Sequence, residues 1–196
     1  MIKFLKFVSA AVACTVLFGC AHPISMTPDL AKVQAAGATP IAKSVGYHIS
    51  IANRGLEVTT PGGGGDKVRY FPYKDLEAGL YKVLSEVFSS VTKIDDPKND
   101  AELKKSGITM LIVPDIGTTS SSPSLVTWPP TKFSVTLVCT ITDADGKLIQ
   151  NLSVTGEGAA EFDEFKSNHS LTAQRASNDA LAKLISALGN AAEVRR

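Results

Sequence analysis

Cys20 is the residue whose surroundings specify the most definite chemistry. Lys3 and Lys6 give a positive start, Phe7 to Phe18 form an apolar run of about a dozen residues, and Leu17-Phe18-Gly19-Cys20 ends it with a small residue ahead of a thiol. This is the layout of a bacterial lipoprotein signal, in which residues 1–19 are removed and the thiol of Cys20 carries the lipid. The apolar run is shorter than the roughly 20 residues that cross a bilayer as a helix. Phe18 departs from the small or β-branched residue usual at that place, and ordinary secretion with cleavage nearby is the alternative.

Other residues imitate reactive constellations without completing them. The run Gly62-Gly63-Gly64-Gly65 has the composition of a phosphate cradle, but no Lys-Ser or Lys-Thr follows and no helix opens from it, which leaves a hairpin loop. Asp143-Ala144-Asp145-Gly146 begins like a calcium loop, yet the twelfth position, where a bidentate Glu belongs, is Val154. His22, His48 and His169 have no metal-ligand spacing, and Cys139 is the one thiol left to join them. Glu157, Glu161, Asp163 and Glu164 are close enough in sequence for acid–base work, but nothing nearby raises a carboxyl pKa, so they read as a solvated strand end. No Gly-x-Ser-x-Gly elbow is present. These observations predict a chain without catalytic residues, cofactor or metal.

One stretch offers a contact surface. Leu125, Val126 and Trp128 stand in a Ser- and Pro-rich run ahead of Pro129-Pro130. Tryptophan is enriched at the centres of interfaces, and an indole in a loop is a candidate partner contact; folding back over the core is the competing role.

The elements that must position these residues follow from hydrophobic spacing. Ala21 to Ser44 is rich in Ala, Thr and Gly and interrupted by Pro23, Pro28 and Pro40, which predicts a flexible tether over 20–44 with the lipid at its start. Val45, Tyr47, Ile49 and Ile51 alternate with smaller or polar residues as in a half-buried strand, and Leu56 to Thr60 and Val68 to Phe71 read as short strands. From Tyr73 to Val91, Leu76, Leu80, Val83, Leu84, Val87 and Phe88 fall on one helical stripe, with Asp75 and Glu77 near the positive end of the dipole. A short helix is expected over Asp100 to Lys105. The apolar run Ile108 to Val113 suits a strand covered on both faces, and Asp115 to Lys132 has no period and reads as a long loop.

Phe133, Val135, Leu137, Cys139 and Ile141 then alternate toward an Asp-Gly turn and a returning strand, a hairpin signal that makes Cys139 an inert core residue. Ser170 to Leu188 carries a second apolar stripe, with Arg175, Asp179 and Lys183 four apart outside it. The predicted architecture is α+β: one domain over 45–190, a mainly antiparallel sheet with two amphipathic helices on one face, and a tail at 191–196.

Charge and cysteine content bound the compartment and the partners. The chain has 20 basic and 19 acidic residues, and losing Lys3 and Lys6 turns its formal +1 into −1, so no basic face for nucleic acid is implied. Without Cys14 and Cys20, Cys139 has no partner for a disulfide. Ala21, and not aspartate, follows Cys20, the pattern of lipoproteins sorted to the outer membrane of Gram-negative cells. The expected location is therefore the outer membrane, through a palmitate-type anchor, on its periplasmic side.

The order of lipobox, strands, helix, apolar strand, hairpin and C-terminal helix resembles the YajG-type lipoproteins of Gram-negative bacteria. The matching stretches are Asp75-Leu76 opening a helix through Val83-Leu84, the strand Leu111-Ile112-Val113, the hairpin from Val135 to Gly158, and Ala180 to Leu188. The same order is similar to that of auxiliary lipoproteins attached to envelope transport machines. The resemblance implies location and fold and carries no catalytic residue across. It leaves two expectations for function: an interaction module that binds another envelope protein, or a binder of lipid or glycan in a groove between sheet and helices.

Overall fold

A computed structural model of the protein describes residues 21–35, 37, 39–61, 67–122, 131–165 and 167–196. The fold is α+β. Its strands are β1 (Ala21–Pro23), β2 (Ile41–Tyr47), β3 (Val58–Pro61), β4 (Lys67–Tyr70), β5 (Phe88–Lys93), β6 (Met110–Ser121), β7 (Lys132–Asp143) and β8 (Leu148–Ala159). Its helices are α1 (Ile51–Arg54), α2 (Pro72–Val87), α3 (Asp100–Lys105), α4 (Phe162–Phe165), α5 (Leu171–Asn190) and α6 (Ala192–Arg195), with a 3-10 turn at Leu30–Lys32.

The larger sheet has the order β5-β2-β6-β7-β8, and a smaller one has the order β1-β4-β3. Most paired residues of the larger sheet lie in the antiparallel run β6-β7-β8, but β2 pairs in parallel with both β5 and β6. The sheet is thus mixed at one side. Helices α2 and α5 contribute their stripes to the main core: Leu76, Leu80, Val83, Leu84 and Val87 from one, Ala173, Ala176, Ala180, Leu181, Leu184 and Leu188 from the other. Side chains of a strand alternate between faces. Accordingly Met110 and Ile112 of β6 join that core, while Leu111 packs with Ile94, Leu103 and Ile108 in a smaller cluster on the opposite face. The run from Ile108 is therefore covered on both sides.

Several boundaries differ from the sequence reading. Helix α2 begins at Pro72, whose missing N–H costs nothing at a first helical position, and stops at Val87. Phe88 is already extended at φ −119°, ψ 151°, because Phe88 and Ser90 to Lys93 pair with β2 and gain a ladder that a further helical turn would forgo. The first strand of the predicted domain lies earlier, at Ile41–Tyr47, and Ile51–Arg54 is a turn of helix capped by the Ser50 side chain. The expected loop after Asp115 is strand as far as Ser121, since each residue from Met110 onward finds a partner on β7.

The predicted tether is corrected in the described residues from Ala21 to Ala35. Ala21–Pro23 form β1 beside β4, and Ile24, Met26 and Val33 are buried, Met26 and Val33 completely. Prolines interrupt regular structure between β1 and the 3-10 turn, and four of the segment's N–H groups are satisfied by distant side chains. Ser25 N donates to Ser170 Oγ (2.9 Å), Met26 N to Asp75 Oδ2 (2.8 Å), Asp29 N to Asn178 Oδ1 (3.1 Å) and Ala35 N to Glu86 Oε2 (3.0 Å). The segment is a strap across α2 and α5. The tail at 191–196 is corrected likewise: α6 forms there, and Val194 is fully buried.

Candidate functional site

Cys20, the candidate partner-contact residues Leu125, Val126 and Trp128, and the Gly62 to Gly65 run lie outside the described residues. The residues that flank them are described, and they meet at one end of the molecule. Ala21 of β1 is the register partner of Lys67 on β4, and Lys67 stands opposite Pro61 on β3. Ser120 on β6 donates from Oγ to the Pro61 carbonyl (2.6 Å) and shares a hydrogen bond with Thr60, which ties the small sheet to the large one. Ser121 stands opposite Lys132, and Lys132 opposite Ala159. An open groove of about 580 Å³ lies at this end, lined by Thr119, Lys132, Phe133, Ser134 and Glu157 among others.

The other residues singled out in the sequence are held in structural roles. Cys139 is buried on the core side of β7, and burial pushes its thiol up to about 12. His48 donates from Nδ1 to the Ile94 carbonyl (2.8 Å), His22 lies in β1, and His169 precedes α5. Among the described residues no group of three or more His, Cys, Asp or Glu could hold a metal ion. Glu164 receives both Nη atoms of Arg175, at 3.0 and 2.7 Å, and the guanidinium holds its carboxyl down at about 2. The Asp143 to Gly146 stretch is a turn: Asp143 Oδ1 accepts the N–H groups of Asp145 and Lys147, and Gly146 takes φ +80°.

A second surface was missed by the sequence reading. Glu77 on α2 accepts a fork from Arg54 on α1, Nε to Oε2 at 2.7 Å and Nη2 to Oε1 at 2.9 Å, with Lys93 Nζ at 3.5 Å. The hydrogen bonds from Arg54 lower the Glu77 pKa. Burial, followed by the charge of Glu77, raises that of the Tyr47 hydroxyl, which donates to Glu77 Oε1 at 3.4 Å. A carboxylate held low by a guanidinium is a poor base, and a phenol held high stays protonated, so the cluster fixes charge and does not move protons.

Beside this cluster Tyr81 lies against Tyr47, with ring centroids 6.2 Å apart. Tyr81 and Leu30 remain 48% and 42% exposed. Both line an open concavity of about 550 Å³ that also includes Lys74, Lys82 and Lys93. The signal available in the sequence was Glu77 and Tyr81, four apart on a helix, outside the apolar stripe.

The groove between sheet and helices required by the lipid- or glycan-binding reading is closed along β8. A Cβ at Gly156 or Gly158 would collide with the backbone of α5 at Ala176, Ala180 and Thr172, because the helix lies directly on the strand.

No protein-family model matches the chain, and no curated protein matches it. Solved structures similar to it include the following two. Protein XCC0632 from Xanthomonas campestris, of the family DUF330, aligns over 88% of this chain and 91% of its own, at 11% identity and a TM-score of 0.46. A protein from Caulobacter crescentus, described as "a putative lipoprotein", aligns over 67% of this chain and 85% of its own, at 13% identity and a TM-score of 0.33. Both likenesses are too weak to carry fold or function across.

Proposed function

We propose that this protein is a lipid-anchored, non-enzymatic interaction module of the outer membrane, of the YajG type that its element order resembles. It faces the periplasm and binds another envelope protein. The observation that carries the reading is Cys20 itself: a thiol behind a charged start and a short apolar run, immediately ahead of a folded domain. Stable anchoring needs more than a single acyl chain, and a bacterial lipoprotein carries several.

The tyrosine concavity is the surface this reading assigns to the partner. Exposed Tyr81 and Leu30 give it an aromatic and apolar centre, and Lys74, Lys82 and Lys93 form a charged rim, the anatomy of a protein interface. The excess of lysines there suits an acidic partner segment. No helix among the described residues is long and apolar enough to cross a membrane, so in this reading attachment falls to the lipid.

Two measurements test it. Cys20→Ala should move the protein from the membrane to the soluble fraction, and retention in the membrane would overturn the anchor. A photocrosslinking residue at Tyr81 in intact cells should yield a defined protein adduct, identified by mass spectrometry. Adducts with lipid or glycan alone would replace the interaction module with a ligand binder.

A further inference from the structure

The distance between the anchor and the folded domain fixes which way the domain faces. A tether would leave the orientation free, but β1 starts at Ala21, the residue after the proposed lipid carrier. Neighbouring strands lie about 4.8 Å apart, so Lys67 stands directly beside its register partner Ala21, the first residue after the anchor. Pro61, Ser120, Ser121 and Lys132 share that end through the pairings and hydrogen bonds described above.

Lys67, Lys132 and Glu157 are all exposed there, so this end carries both signs of charge, and its lysines complement headgroup phosphates. The tyrosine concavity is far from this end. Tyr47 stands opposite Ile112, and from Ile112 to Ser121 along β6 is about 30 Å at roughly 3.3 Å per residue.

We infer that the end of the domain bearing Ala21, Lys67, Ser121 and Lys132 lies against the phospholipid headgroups of the membrane that holds the lipid, with the tyrosine concavity turned away from it. The inference rests on acylation of Cys20. The strap of residues 25–35 across α2 and α5 makes the contact rigid, because the first residues after the anchor cannot swing without leaving the core. The domain would then present its partner surface at a fixed height above the membrane.

Site-specific fluorescence quenching tests this on the full-length acylated protein, reconstituted in vesicles of phosphatidylethanolamine and phosphatidylglycerol that carry a headgroup-attached quencher. Single cysteines are introduced by Lys67→Cys, Lys132→Cys and Lys147→Cys and labelled with one fluorophore. Cys139 stays unlabelled because it is buried, and an acylated Cys20 has no free thiol. Lys147 follows the far end of β7, a strand of 12 residues and therefore about 36 Å from Lys132 at roughly 3.3 Å per residue.

Strong quenching at positions 67 and 132, with none at 147, is the expected result. Equal quenching at all three positions, or none at any, in protein whose intact mass shows the acyl chains overturns the orientation and leaves the lipoprotein reading standing. An intact mass without acyl chains overturns both.

Discussion

At the scale of single residues, the groups with the most reactive chemistry have been taken out of circulation. Cys139 is the clearest case, a thiol with its pKa raised to about 12 by burial alone. The thiolate is the reactive form, so the native protein at neutral pH should take up no bulky thiol reagent at Cys139, and labelling should follow unfolding in denaturant. Rapid labelling of the native protein would show that β7 opens.

Glu164 behaves in the opposite sense. Hydrogen bonds from Arg175 hold its carboxyl at about 2, below the ordinary 4.5. A depressed carboxyl pKa stabilises the fold above the unfolded value and loses that contribution as the pH falls through the folded one. Glu164→Gln should therefore lower the urea midpoint at pH 7, and the gap from wild type should close between about pH 4.5 and pH 2. A gap that persists at pH 2 would place the effect in packing and not in the ion pair.

At the scale of elements, the junction of α5 with β8 depends on residues chosen for what they lack. Gly156 and Gly158 have no Cβ where Ala176, Ala180 and Thr172 bring helix backbone against the strand, and Gly79 leaves the space filled by Pro28 and Leu181 between α2, α5 and the strap. Overpacking such a contact costs about 1–3 kcal/mol, so Gly156→Ala and Gly158→Ala should each destabilise the protein by at least that much in urea unfolding. Gly189, also in α5, meets nothing within 4 Å. Gly189→Ala should stabilise by about 0.5–1 kcal/mol, the usual helical preference of alanine over glycine. Equal effects at Gly158 and Gly189 would mean that helix and strand are further apart than described.

At the scale of the whole molecule, the N-terminal segment decides whether the domain hangs from the membrane or sits on it. Met26 is fully buried and its N–H is held by Asp75. Met26→Ala should cost about 2–5 kcal/mol in thermal or urea unfolding, the range for truncating a buried methionine, whereas the same change in a flexible tether would leave stability unaltered. Loss of the strap would also restore the freedom of orientation that the β1 pairing removes.

Elements whose signal is local were legible in the order of the residues. The stripe of α2 as far as Val87, the stripe of α5, the alternation through Cys139 and the Asp-Gly turn are written in periods of 3.6 and 2 and in turn chemistry, and they stand where those patterns put them, while Phe88 to Val91 leave the predicted helix for β5. The lipobox, the basis of the proposed anchor, is local in the same way.

Tertiary structure alone decided the elements held by partners far along the chain. Residues 25–35 carry no period and are broken by proline, and the N–H groups of Ser25, Met26, Asp29 and Ala35 are satisfied by Ser170, Asp75, Asn178 and Glu86. Residues 115–121 have a weak apolar pattern and become strand because β7 lines up beside them, as Ser90 to Lys93 do beside β2. The Tyr47, Glu77, Tyr81 and Arg54 surface joins a strand to two helices, so no window of the sequence contains it. Local propensity cannot report a hydrogen bond whose partner lies 49 or more residues away, and such bonds hold the strap on which the proposed orientation of this molecule depends.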